Sequence, residues 1–142
     1  MNNSVKVAVI GVGNMGRHHA RVYSELESAK LVAVADKNQD IGQGIAEKYN
    51  CRYYADYRDM LNCEKIDAAS ICVPTCLHKD ISIECIERGI PLLIEKPIAE
   101  SVESAKAIIS MSELKSVPIC IGHIERFNPV VQQLKKLIKE DK

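Results

Sequence analysis

A glycine spacing able to hold phosphates opens this 142-residue chain: Gly11-Val12-Gly13-Asn14-Met15-Gly16. It follows a β-branched run, Val5–Ile10, and precedes helical sequence, which is the setting the chemistry requires. Gly11 permits a tight turn. Gly13 has no Cβ, so a pyrophosphate can approach the main chain across the Val12–Asn14 segment. Gly16 lets the helix sit close to the strand. The amides of Asn14 and Met15 then face the phosphates at the positive end of the helix. A glycine-rich turn without a ligand is the plain alternative. Asp36 strengthens the ligand reading, because it lies twenty residues after Gly16 at the end of a second apolar run. A carboxylate there can accept hydrogen bonds from both adenosine ribose hydroxyls and repels a 2′-phosphate. Charged hydrogen bonds contribute roughly 1.5–3 kcal/mol, which is about a ten- to hundredfold preference for NAD over NADP. Lys37, beside it, is able to accept a phosphate, so NADP stays open.

A second group of residues falls at the ends of later strands. Val73-Pro74-Thr75 stops the fourth apolar run, and His78 follows within a turn. Ligands of parallel sheets bind outside the carboxyl ends of the strands, so this loop is expected to line the nicotinamide half of a cleft. His78 is either a cofactor ligand or the first turn of a helix. Glu95-Lys96-Pro97 stops the fifth run on the same edge. A cleft lysine can hydrogen-bond a substrate hydroxyl and stabilise the alkoxide that precedes hydride loss. Lys96 is therefore the catalytic candidate, with Glu95 able to orient it. An exposed Glu95–Lys96 ion pair is the alternative. His18 and His19 lie on the first helix and are expected to pack or face solvent.

The elements that must position these residues alternate. Strands are expected at Val5–Ile10, Leu31–Ala35, Arg52–Tyr54, Asp67–Val73, Ile90–Ile94 and Val117–Ile121. Between them, helices are expected at Asn14–Leu26, Gln39–Tyr49, Tyr57–Leu61, from Leu77 to near Gly89, and at Ser101–Glu113. On the first, Met15, His19, Val22 and Leu26 share a face; on the fourth, Leu77, Ile81 and Cys85 do. Phe127, Val130, Val131, Leu134, Leu137 and Ile138 give a last helix an apolar stripe opposite lysines. Strict alternation with short connections implies an α/β fold: a doubly wound parallel sheet of about six strands with helices on both faces.

Nineteen basic side chains balance nineteen acidic ones, which leaves no electrostatic footprint for nucleic acid or an anionic membrane. No apolar run approaches the ~20 residues of a membrane span. The opening residues lack a signal peptide's charged region and cleavage site. Asn2-Asn3-Ser4 fits a glycosylation acceptor only formally. The six cysteines form no CxxC pair, and no metal site is expected. Cys72, Cys85 and Cys120 read as small core residues, and the chain reads as reduced and cytoplasmic.

The segments VAVIGVGNMGRHHA, VAVAD, ICVPTCLHKD and LLIEKPIAES together resemble the amino-terminal half of the Gfo/Idh/MocA family of NAD(P)-dependent sugar and inositol dehydrogenases. The resemblance runs through essentially the whole chain, and the EKP element is its most specific part. It implies cofactor contacts from Gly11 to Met15, at Asp36, the Val73–Thr75 loop, His78, Glu95 and Lys96, with Lys96 also reaching the reacting hydroxyl. Gly122 to Pro129 resembles a segment of members acting on nucleotide sugars, which implies Arg126 and Asn128 near the sugar. Family members carry a second, α+β domain that supplies much of the substrate site and usually the oligomer interface. Residues 1–142 are thus expected to be the dinucleotide-binding domain, inactive alone, with a homo-oligomer or a partner domain completing it. A stand-alone NAD(H)-binding or regulatory module, and an S-adenosylmethionine domain, are the competing readings.

Overall fold

The computed structural model describes residues 4–140, so the Asn2-Asn3-Ser4 acceptor falls largely outside the described residues. Six strands form one parallel sheet: β1 (Val5–Ile10), β2 (Ala29–Ala35), β3 (Arg52–Tyr54), β4 (Ala68–Ile71), β5 (Leu92–Ile94) and β6 (Ile119–Ile121). Their spatial order is β3-β2-β1-β4-β5-β6. This is the doubly wound order, and the chain reverses direction across the sheet between β1 and β4. β1 sits centrally, with Val7–Ile10 hydrogen-bonded in register to Ala68–Ile71 on one side and its full length paired to β2 on the other.

Alternation along β1 divides the core. Val7 and Val9 point to the face covered by α1 (Gly16–Glu25) and α2 (Gln39–Tyr49), where they meet Ala20, Val34 and Ala46. Ala8 and Ile10 point to the opposite face, with Met60, Ile71, Ile81, Ile86 and Ile108. There α3 (Tyr57–Cys63), α4 (His78–Glu87) and α5 (Val102–Lys115) pack. Both faces are buried, so the central strands are apolar without a polar side.

Three differences from the sequence reading have physical causes. β5 and β6 begin two residues late, because Pro91 and Pro118 lack the N–H that a ladder needs; their carbonyls still accept from Ala69 and Leu92. α1 begins at Gly16 rather than Asn14, and its packed side is Gly16, Ala20 and half-buried Tyr23. Met15, Val22 and Leu26 are exposed: small residues let the helix approach the sheet, and that close approach decides which face turns inward. Leu77 and Cys120 are likewise exposed, the former in a 3-10 turn before α4 and the latter on the edge strand β6.

After β6, a 3-10 turn at Ile124–Phe127 leads into α6 (Pro129–Glu140). Every residue from 129 to 139 is exposed. The stripe is uncovered, with Phe127 80% and Val130 74% exposed.

Candidate dinucleotide and hydride-transfer site

The carboxyl ends of β1, β2, β4 and β5 bring the sequence candidates to one edge of the sheet. At the end of β1, Gly11 adopts φ +82°, and a Cβ there would lie 2.9 Å from the Cys72 carbonyl. This close approach joins β1 to the end of β4 across the switch point. Gly16 is equally constrained: its Cβ would meet the Gly11 carbonyl oxygen at 1.8 Å. Gly13 differs, because a Cβ there would touch nothing within 4 Å. The first and third glycines are thus demanded by the protein, whereas the second faces open space. Among the described residues, the main-chain amides of Gly13, Asn14 and Met15 donate to no protein acceptor, and the α1 N-terminus has no side-chain cap. Unpartnered donors at a positive helix end beside an open glycine fit a bound pyrophosphate.

Asp36 stands beside this loop. One carboxylate oxygen accepts from the Val12 amide at 2.8 Å, and the other from the Asn38 amide at 2.8 Å. Tyr53 donates its hydroxyl to the Asp36 carbonyl at 3.0 Å, bracing the end of β2 against β3. Each carboxylate oxygen keeps a second lone pair, so the group can still accept from ribose hydroxyls.

At the other half of the edge, Lys96 is exposed immediately after β5. It lines a cleft of about 630 Å³ together with Gly122, His123, Arg126, Val131 and Lys135. Lys96 and Arg126 therefore share one open space. Glu95 does not form the exposed ion pair weighed from the sequence. It is 5% exposed, and its Oε2 accepts from the main-chain amide of Lys96 at 3.1 Å. Its influence on Lys96 runs through the backbone.

Residues 5–123 match the family model described as an oxidoreductase family with an NAD-binding Rossmann fold. The chain belongs to this family. The chain is 33% identical to UDP-N-acetylglucosamine 3-dehydrogenase of Acidithiobacillus ferrooxidans, over 93% of its own length and 41% of the relative's. The solved structure of that enzyme superposes with a TM-score of 0.85, covering 94% of this chain and 42% of the other. Inositol 2-dehydrogenase of Rubrobacter xylanophilus is 31% identical over 88% of this chain and 37% of that protein. GenD2 from gentamicin A biosynthesis, solved in complex with NAD, is 25% identical with a TM-score of 0.80, covering 84% of this chain and 34% of its own. The chain thus spans about two fifths of the length of the curated relatives it matches. As an NAD-binding Rossmann domain of the Gfo/Idh/MocA family, it carries the cofactor edge on residues of its own.

Two of the sequence candidates make their hydrogen bonds to the protein itself in this Gfo/Idh/MocA domain. His78 is 1% exposed, with Nδ1 3.0 Å from the Pro97 carbonyl and Nε2 2.9 Å from the Val73 carbonyl. A neutral ring donates to one of these oxygens and a protonated ring to both. Neither nitrogen is left for a cofactor; the ring ties the β4 loop to the turn after β5. Asn128 was expected near the sugar. Its Oδ1 accepts from the Val130 amide at 3.0 Å and its Nδ2 donates to Glu125 at 2.8 Å. It caps α6, with Pro129 at the first helical position, where the absent N–H costs nothing. Thr75 stays half-buried at the mouth of the β4 loop, beside exposed Pro74 and half-buried Val73.

Three residues missed from the sequence stand behind the edge: His19, Tyr23 and Ser70. Ser70 is fully buried and bonded to both others, with Oγ 3.1 Å from His19 Nδ1 and 2.8 Å from the Tyr23 hydroxyl. The available signals were a serine inside the apolar run of β4 and the four-residue spacing of His19 and Tyr23 on α1. All six cysteines are unpaired, and the described residues contain no His/Cys/Asp/Glu cluster able to hold a metal. No described helix is long and apolar enough to cross a membrane.

Proposed function

We propose that this domain binds NAD(H) along the carboxyl edge of its sheet and serves a dehydrogenase acting on a secondary hydroxyl of a sugar or nucleotide sugar. The observation that carries it is the placement of exposed Lys96 in one cleft with Arg126, on the same sheet edge as the open Gly13 turn. The amides of Gly13, Asn14 and Met15 hold the pyrophosphate, Asp36 accepts from the adenosine ribose, and Val73 to Thr75 border the nicotinamide half. When bound, the nicotinamide ring supplies the acceptor or donor of the hydride. Lys96 Nζ hydrogen-bonds the substrate hydroxyl and takes its proton as the carbonyl forms, returning it in the reverse direction. Arg126 presents a guanidinium that suits a phosphate-bearing substrate. Asp36 favours NAD over NADP through its charge.

The matching relatives support the substrate class, since two of them are named for a nucleotide sugar and an inositol. The uncovered α6 stripe supports a further body, either a substrate domain or a second copy, closing over the cleft. Unpaired cysteines suit a reducing, cytoplasmic setting. The test is direct. The 142-residue chain is expected to bind NADH, seen as enhanced nicotinamide fluorescence, and to bind NADPH at least about tenfold more weakly. It is expected to turn over UDP-N-acetylglucosamine and inositols negligibly. Robust turnover by this chain alone, or no NADH binding, defeats the proposal.

A further inference from the structure

Behind Lys96 a line of buried and half-buried polar groups crosses the sheet. Tyr23 Oη lies 2.8 Å from Ser70 Oγ, Ser70 Oγ lies 3.1 Å from His19 Nδ1, and His19 Nε2 lies 3.1 Å from Glu95 Oε1. The opposite oxygen, Glu95 Oε2, receives the Lys96 amide at 3.1 Å. The line joins α1, which the phosphate loop leads into, to β4 and then to the end of β5, which Lys96 follows.

Proton positions follow from the donor inventory. An ionised carboxylate only accepts, so His19 Nε2 carries the proton it shows to Glu95. In the neutral ring Nδ1 then accepts from the Ser70 hydroxyl, and Ser70 in turn accepts from Tyr23. Burial, the leading cause, holds the Tyr23 phenol above its usual range, so it stays a donor. Each group is satisfied and all donate toward Glu95, an arrangement in which hydrogen bonds reinforce one another. Nearby, the Cys72 thiol is pushed up to about 12, first by burial and then by Glu95. Gly122 presses on it from β6, since a Cβ there would come within 2.9 Å of Oε1.

Serine, histidine and glutamate in a row invite comparison with a nucleophilic triad. Ser70 is 0% exposed, with its hydroxyl enclosed between His19 and Tyr23, so no substrate can reach it. The line ends instead at the main chain of Lys96.

We infer that His19 is a positioning residue: through Glu95 it fixes the backbone of Lys96 relative to the helix that the phosphate loop leads into. The functional consequence rests on the proposed role of Lys96 at the substrate hydroxyl. Held this way, the lysine keeps one registration with the pyrophosphate end of the cofactor, because the phosphate loop runs into α1 and Lys96 is tied to α1 through Glu95 and His19. Mobility at Glu95 would loosen that registration without disturbing the glycine loop.

Two measurements on the cofactor-free chain test this. Ring ¹⁵N shifts of His19 are expected to show the neutral form protonated at Nε2. A neutral ring protonated at Nδ1 overturns the assignment without any substitution. Hydrogen exchange at the Lys96 amide is expected to quicken about tenfold or more in His19→Ala, as loss of a charge-assisted hydrogen bond would produce. His19→Gln, whose side-chain amide can donate to Glu95, is expected to restore much of the protection. Ser70→Ala gives a milder version, by freeing the ring without removing it. Unchanged Lys96 exchange in folded His19→Ala and Ser70→Ala, or no rescue by glutamine, overturns the inference. NADH binding by the unsubstituted chain separately tests the reading on which the functional consequence rests.

Discussion

The three glycines of the phosphate loop have the same side chain and different reasons for it, and substitution should separate them. Gly13→Ala adds a methyl that meets no protein atom, so stability should stay within about 0.5 kcal/mol. Gly13→Val should also fold, while weakening NADH about ten- to hundredfold by keeping the phosphates from the amides. Gly16→Ala should lose about 1–3 kcal/mol or more, because its methyl collides with the Gly11 carbonyl. Thermal unfolding and NADH titration of the three proteins check the pattern; a Gly13→Val that keeps full affinity would remove the phosphate role. The cysteines also divide residue by residue. Burial pushes the Cys85 thiol up to about 12, as it does Cys72, and Cys51 to about 11. Thiolate is the reactive form, so these three should label slowly at pH 8, ahead only on unfolding. Cys63, Cys76 and Cys120 are exposed and should label within the first phase, counted by mass spectrometry.

At the scale of elements, two side chains chosen from the sequence as ligand contacts turn out to join pieces of the fold. His78, at the start of α4, holds the carbonyls of Val73 and Pro97, and so binds the ends of β4 and β5 to each other. His78→Ala should cost about 1–3 kcal/mol through unmet buried carbonyls. It should weaken NADH indirectly, by loosening both loops, and exchange at residues 74–77 and 96–99 should quicken together. Confined loss at one loop would mean that the ring serves only that loop. Asn128→Ala should remove about 1 kcal/mol from the first turn of α6 and fray it, visible as faster exchange at residues 130–132. NADH affinity should not change. His78 read as a ligand from its place after the β4 loop, and Asn128 from the family resemblance; both side chains bond to neighbouring protein groups, His78 in the interior and Asn128 at the surface.

The whole molecule pairs a well-filled sheet core with an unpacked end. The strand order and two-faced burial are those of a domain able to fold by itself, while α6 lies outside both core clusters. Apolar side chains left in water favour association, so the chain should self-associate with rising concentration in light scattering. Replacing Leu134 and Ile138 together by glutamate should shift it toward monomer. Those side chains are 55% and 62% exposed, so the melting temperature should hardly move. A clean monomer before substitution, across concentrations, would show that the stripe is content in solvent.

Much of this was legible in the residues themselves. Local rules determined the alternation of elements, the ends of β1, α2 and β3, the positive-φ turn at Gly11, and the placing of Gly13, Asp36 and Lys96 on one edge. Each follows from short-range chemistry: period-two burial, glycine conformations, and strands that must end where the next helix begins. Tertiary structure alone decided where side chains point. It turned the Gly16–Ala20 side of α1 inward in place of Met15, Val22 and Leu26. It closed His78 between two carbonyls, and it brought His19, Ser70 and Glu95 together from three elements. Those contacts span up to 76 residues of sequence and depend on how closely α1 settles on β1 and β4. No periodicity within one segment encodes that distance; the packing of the small residues between them does.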